Sequence, residues 1–196
     1  NFTMDHEHVR EICQGLKDID VTFSCTARVS QVDLNLCRAM AEAGCNSIIF
    51  GLGTGVKRLQ DILGTHEDLE HAAQLIGELR ELGITPVAVF SMGIPTETRQ
   101  EFKQTIEYAL SLKHCQVRFE PAAPLPGSQL HKTAQSGGRF MLNNWDEYRR
   151  PNQLVYLPAG RRKFEFQMDM YLAKFKARIK QFREKSSSTA KGRYIQ

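Results

Sequence analysis

The chain has 196 residues, 41% of them hydrophobic and 24% charged, with a formal net charge of +4. That is the profile of a globular protein with room for one sizeable core. It sets aside a membrane-spanning helix, because no apolar run approaches the roughly 20 residues that a bilayer requires.

The first residues are polar and acidic, which is not the pattern of a signal peptide. Five cysteines without tight spacing do not describe a secreted disulfide scaffold, so the cytoplasm is the expected compartment. Cys13, Cys37 and Cys45 fall on or beside apolar helix positions and are expected as buried free thiols. No Cys or His spacing fits a compact zinc motif, and no metal site is read here. The chain starts at Asn1, directly ahead of a helical pattern, as an excised or processed piece of a longer protein would.

Val9, Ile12, Cys13 and Leu16 recur at helical spacing behind Asp5, an expected N-cap. Val21–Cys25 is a β-branched and aromatic run, read as a strand. Ser30 and Asp33 have the spacing of a capping box ahead of Leu36, Ala39, Met40 and Ala43, and Gly44 closes that helix. Ser47–Phe50 is a second strand, followed by a short helix over Val56–Leu63 and another from Glu67 or Asp68 to Gly83. Val87–Phe90 is a third strand. Thr98 and Glu101 cap a helix bearing Phe102, Ile106, Ala109 and Leu110, and Gln116–Glu120 is a fourth strand.

Near-continuous apolar strands separated by helices imply parallel strands covered on both faces. Right-handed crossovers then gather every strand-to-helix loop on one side, where parallel α/β folds bind ligands. Three loops rich in Gly and Pro fall there: Gly51–Gly55, Gly93–Thr98 and Pro121–Ser128.

Beyond Gly127 the composition shifts. Residues 131–163 read as irregular, with Trp145 and Tyr148 expected to pack rather than to touch substrate. A long helix follows with Phe164, Met168, Tyr171, Phe175, Ile179 and Phe182 in a stripe that needs a partner. From Arg161 onward there are 11 Lys/Arg against 3 Asp/Glu, a basic segment read first as a solvated face, with RNA, an anionic surface or a missing domain as alternatives. From Ser186 the composition suggests disorder.

Asn1-Phe2-Thr3 with Asp5, Ala27-Arg28-Val29 with Val32-Asp33, Ala43-Gly44-Cys45, Phe50-Gly51-Leu52, Gly93-Ile94-Pro95-Thr96-Glu97-Thr98 and Pro124-Leu125-Pro126-Gly127-Ser128 occur in this order. Together they resemble the radical S-adenosylmethionine (SAM) superfamily, in particular the branch whose members often carry a cobalamin-binding domain. That branch includes anaerobic Mg-protoporphyrin monomethyl ester cyclases and many methyltransferases.

The resemblance implies an α/β fold: a partial (β/α) TIM-like barrel with parallel strands over residues 1–130, as the carboxyl-side part of a (β/α)6 barrel. Residues 131–185 would be an irregular segment plus a basic amphipathic helix, and 186–196 a tail. It implies a parent enzyme that uses SAM and a [4Fe–4S] cluster to form a 5′-deoxyadenosyl radical for methyl transfer or oxidative cyclisation of a small-molecule substrate. Cobalamin would sit in a separate N-terminal domain. It also implies SAM contacts from Arg28, Gly51, Gly53, Thr54, Met92, Gly93, Ile94, Pro95 and Ala123, with the Gly93–Pro95 backbone beside the adenine. No catalytic residue is singled out.

Three departures from the family pattern stand out. The C-x-x-x-C-x-x-C cluster loop is absent, so this chain alone is expected to be inert and its barrel to need a missing N-terminal half. Gly53 stands where the family commonly has Glu, and Thr96 where it commonly has Gly. A degenerate barrel domain that binds a nucleotide or a protein partner is the alternative reading, and an unrelated α/β phosphate binder a third.

Overall fold

Asp5 caps the first helix as the sequence requires, its side chain accepting the N–H groups of Glu7 and His8 at the start of α1 (His6–Leu16). The computed structural model describes residues 1–142, 144–148 and 153–191. Strand β1 (Phe23–Ala27) begins two residues later than the sequence suggests. Helix α2 (Leu34–Glu42) is capped by Asp33 alone, through Leu36 N–H, because Ser30 belongs to a separate 3-10 turn over Val29–Gln31. The capping box expected at Ser30 is therefore a single Asp cap.

β2 (Cys45–Gly53), α3 (Lys57–Leu63), α4 (Leu69–Leu79), β3 (Thr85–Met92), α5 (Arg99–Ser111) and β4 (Gln116–Pro121) complete the alternation. The capping box of Thr98 and Glu101 forms in full at the start of α5.

The four strands pair in sequence order, β1-β2-β3-β4, and every pair is parallel. Cys25, Ile48, Phe50, Ala88, Phe90, Val117 and Phe119 are buried in one core with the apolar faces of α1, α2, α4 and α5. The opposite face carries Thr26, Ile49, Gly51, Val89, Ser91, Arg118 and Glu120, none of them buried. The helices thus cover one face, not both as the apolar strands imply. Sequential order with helices on a single side is barrel-type winding, whereas a doubly wound sheet reverses its order and is covered twice.

After β4 the chain is more regular than its composition suggests. Ser128 caps α6 (Gln129–Gly137) by accepting His131 N–H, and β5 (Gly138–Phe140) pairs antiparallel with β6 (Tyr156–Pro158). A short helix, α7 (Trp145–Tyr148), lies between them. Trp145 packs against Tyr148 with ring centroids 5.4 Å apart, yet it remains 64% exposed and outside the core.

Helix α8 spans Lys163–Lys191, so it runs past Ser186, where the composition suggests a tail; residues 192–196 lie outside the described residues. Its apolar face is also not the one that the aromatic stripe marks. Phe166, Met170, Ala173 and Ala177 are buried, while Phe164, Met168, Tyr171, Phe175, Ile179 and Phe182 are exposed. The two stripes are offset by two residues, or about 200° around a helix of 3.6 residues per turn. Both have helical spacing, so periodicity alone does not choose between them. Close approach does: Ala173 and Ala177 let α8 lie against β4 and α5, and Phe166 meets Phe102 edge-on at 6.0 Å.

Helix α8 also covers one sheet edge. Ala122 N–H donates to Met92 O at 2.7 Å, so alternate residues of β4 face β3 and the others face outward. Gln181 Nε2 donates to one of those outward carbonyls, Val117 O, and Lys180 Nζ to Cys115 O nearby. Pro121, which lacks an N–H, occupies an outward position, as an edge strand tolerates.

Candidate functional site

The carboxyl ends of the four strands form one rim. Ala27 pairs with Phe50, so Arg28 stands level with Gly51, and Gly51 in turn pairs with Val89 and Val89 with Arg118. Arg28, Gly51 and Arg118 are exposed on this inner row. A Cβ built on Gly51 would meet nothing within 4 Å, so the missing side chain leaves open space over the sheet. Ala123, also exposed, follows the Ala122 N–H that extends the β3–β4 pairing beyond Pro121.

The remaining sequence candidates sit deeper. A register shift between Gly51 and Gly53 turns Gly53 out of the inner row into a left-handed conformation (φ +72°), where a Cβ would lie 2.9 Å from Leu63. A side chain at this position thus points toward α3 rather than over the inner face. Thr54 is fully buried, and its hydroxyl is hydrogen-bonded to that of Thr105 at 2.9 Å while accepting Val56 N–H. Met92, Gly93, Ile94 and Pro95 are all buried.

Gly93 (φ +77°) needs glycine for a different reason from the close ligand approach that its motif suggests. A Cβ there would strike the Phe166 ring of α8 at 2.7 Å. The turn is packed from behind by protein.

Thr96, in the position the family usually gives to glycine, adopts φ +67°, a left-handed conformation that costs a β-branched residue about 1–3 kcal/mol. Arg58 of α3 offsets that strain. It donates to Thr96 Oγ1 (3.0 Å) and Thr96 O (3.1 Å) and grips both oxygens of Glu101 at 2.7 and 2.8 Å. The paired guanidinium holds the Glu101 carboxyl down to about 2. Arg58 carries no sequence motif, and only the fold brings α3 to this turn.

Glu97 behaves in the opposite way. It precedes the Thr98 cap and is buried, with Oε2 accepting Gly93 N–H at 2.6 Å. Burial pushes its carboxyl up to about 8, against the lowering effect of Gly93 N–H and Arg161.

All five cysteines are buried free thiols. Burial pushes Cys37 and Cys115 up to about 12, and Cys25, hydrogen-bonded to Cys45, is raised as well. Such thiols are poor thiolate ligands, and among the described residues no group of three or more His, Cys, Asp or Glu could hold a metal ion.

A one-sided parallel sheet with a polar, open inner face and a glycine- and proline-bearing rim defines the ligand-binding end of a (β/α) barrel. The profile of the radical SAM superfamily matches residues 1–109, and the chain belongs to that superfamily. Its members are enzymes that use SAM and a [4Fe–4S] cluster.

The chain is 26% identical over 149 residues to an uncharacterized methyltransferase of Pyrococcus horikoshii, covering 75% of this chain and 32% of that one. It therefore spans about a third of this relative's length. The fold resembles coproporphyrinogen III oxidase (HemN) from Escherichia coli, with a TM-score of 0.61 and 15% identity over 87% of this chain and 36% of that one. It also resembles the radical SAM methyltransferase TsrM from Kitasatospora setae, solved with cobalamin and a [4Fe–4S] cluster bound (TM-score 0.51, 20% identity, 58% of this chain and 22% of that one).

The inner row fits one end of SAM. Gly51 leaves room for an adenosyl or methionyl group, and Arg28 offers a guanidinium that suits a carboxylate. The residues do not fit the cluster, for the reasons of burial and spacing given above.

Proposed function

We propose that this chain forms the carboxyl-side part of a radical SAM barrel, residues 1–130, and supplies one wall of the SAM site of a cytoplasmic methyltransferase. The open space at Gly51, level with exposed Arg28 and Arg118 on the inner face, carries this reading. Arg28 pairs with the methionyl carboxylate, and Gly51 and Ala123 let the nucleoside lie against bare backbone. The buried residues Gly53, Thr54, Met92, Gly93, Ile94 and Pro95 act behind that surface by fixing the bulge and the turn that form it.

Bound SAM would supply the radical and methyl chemistry, and the residues of this chain would hold SAM rather than the cluster. The protein's part is positioning. Arg118 and Glu120, exposed beside the open space, orient a small polar substrate, and the apolar outer core keeps the rim rigid. The methyltransferase assignment follows the Pyrococcus horikoshii relative, and a separate cobalamin domain follows the likeness to TsrM.

The test is anaerobic assay of the full-length enzyme with a reconstituted cluster, following conversion of SAM to 5′-deoxyadenosine or S-adenosylhomocysteine. Arg28→Ala should weaken SAM binding by about tenfold or more, the scale of one lost charge-assisted contact, and Gly51→Val should weaken it by filling the open space over the sheet. A fully loaded cluster that yields neither product, or variants that bind SAM as the parent does, would sink the proposal.

A further inference from the structure

Helix α8 runs along the outer edge of β4, and between them lies a trough with a cavity of about 650 Å³. Arg118 and Glu120 line it from the inner row of the sheet, and Tyr171, Lys174, Phe175 and Arg178 line it from one flank of the helix. Gln181 ties helix to strand at one end by donating to Val117 O. A cavity of this size falls among small-molecule sites, which span about 300–1,000 Å³.

Two features of the trough go beyond packing. The first is a pair of aromatic rings. Tyr171 and Phe175, one helical turn apart, stack with centroids 6.4 Å apart and planes within 9°, yet they remain 65% and 50% exposed. The core side of α8 is filled by Phe166, Met170, Ala173 and Ala177, so folding makes no use of this pair.

The second feature is charge. Three cations, Arg118, Lys174 and Arg178, line the trough with one carboxylate, Glu120. Burial pulls the Lys174 ammonium down and Glu120 opposes that, so this carboxylate is engaged with Lys174. Among the described residues no ion pair engages Arg118 or Arg178. The two guanidiniums carry the surplus, and their planar forks suit a carboxylate or a phosphate.

The trough also opens onto the wall proposed above for SAM. Arg118 pairs with Val89 and Val89 with Gly51, which places Gly51 two strand spacings, or about 10 Å, from Arg118. One molecule can therefore lie on the rings of α8 and extend an atom over the inner face.

We infer that the trough binds the substrate, and that the substrate is a planar aromatic group carrying a carboxylate or a phosphate. The ring stacks on Tyr171 and Phe175, the anion pairs with Arg178 and Arg118, and the reacting end reaches along the inner row toward Gly51. Because the two rings stack on each other they form one platform, whereas a single-stranded nucleic acid takes a row of them. A second copy of the chain would set the same cations against their like. Only the direction of the reacting end rests on the reading of the inner face as the SAM wall; the ring and anion contacts stand without it.

The experiment is calorimetric titration of the full-length enzyme with naphthyl phosphate and with naphthoate, beside uncharged naphthol and inorganic phosphate. At least one of the two ring-bearing anions should bind about tenfold or more tighter than either control. Naphthyl phosphate alone would mark a phosphoryl substrate, and naphthoate alone a carboxylate. Phe175→Ala should weaken the ring-bearing anion by about tenfold, the scale of one lost aromatic stack. Arg178→Ala should weaken it by about as much while leaving naphthol unchanged. Both residues are exposed, so each variant should keep the parent's Tm.

Arg28→Ala, which tests the SAM wall, should leave binding of the ring-bearing anion as in the parent, so either proposal can fail alone. A loss in that variant places the anion at the SAM wall and overturns the trough as its site. So do inorganic phosphate bound as tightly as the ring-bearing anions, and Phe175 and Arg178 variants that bind as the parent does. An oligouridylate held more tightly than either anion and released by Phe175→Ala, or a dimer that Phe175→Ala dissociates, would equally overturn it.

Discussion

The two faces of the sheet obey different rules. On the outer face Ile48, Phe50, Ala88 and Phe90 are fully buried beneath helices, while their immediate sequence neighbours Ile49, Gly51, Val89 and Ser91 turn to an inner face that no described helix covers. Adjacent residues of one strand thus serve opposite ends. The outer set supplies cohesion, and the inner set is the wall proposed above for SAM. A change that costs stability on one face should cost binding on the other.

The largest effect should come from Phe90→Ala. Phe90 is fully buried and touches Tyr108 and Phe119 at ring-centroid distances of 5.9 and 6.0 Å. Its loss should lower unfolding free energy by about 3–5 kcal/mol in a denaturant titration, the range for an aromatic deleted from a core. Val89→Ala, one residue away on the inner face, should cost well under half as much if the comparison holds.

Next is a pH effect at the rim. Glu97 is neutral in the folded state up to about 8 and ionised in the unfolded chain above about 4.5. Its stabilising contribution is therefore complete below pH 4.5 and is lost as pH rises toward 8, with no further change above that. Between these limits the parent chain should lose on the order of 1 kcal/mol per pH unit relative to Glu97→Gln, read from urea midpoints across the range. Parallel pH profiles for the two proteins would show that Glu97 ionises normally.

Gly93→Ala should destabilise by about 2 kcal/mol, since it combines a left-handed backbone with a collision against Phe166. Arg58→Ala should cost about 1–2 kcal/mol by releasing Thr96 and Glu101 together. In that background Thr96→Gly should recover part of the loss, because glycine carries no penalty at φ +67°. Absence of that recovery would show that Arg58 does not support the strained turn.

The smallest stability effect belongs to Gly51→Val, within about 0.5 kcal/mol, since the site is open and a strand favours β-branched residues. The same variant should nevertheless lose SAM affinity in the full-length enzyme, and that contrast is the sharpest test of the division between the faces.

Much of the scaffold is local chemistry and was legible in order. Asp5 and the Thr98–Glu101 pair announced helix starts that the structure confirms, and the alternation of apolar runs with helical spacings gave the parallel α/β fold. The glycine-rich rim was legible too, although the reason for one glycine was not. Gly93 answers to Phe166, a residue 73 positions away, and no local pattern announces such a neighbour. Likewise Arg58 and Arg161 carry no motif, and their partners lie across the chain.

The amino-acid sequence by itself determined the order of helices and parallel strands, because capping, strand propensity and hydrophobic period act over a few residues, and its motifs in register carried the resemblance to the family. Tertiary structure alone decided which of two apolar stripes on α8 is buried, which face of the sheet stays open and which carboxyl at the β3–α5 turn is charged. Glu97 and Glu101 are four residues apart, one just before α5 and one in its first turn, yet burial holds one carboxyl up at about 8 and Arg58 holds the other down at about 2. Burial and charge pairing depend on what the rest of the fold brings alongside, and that information is not carried by the segment itself.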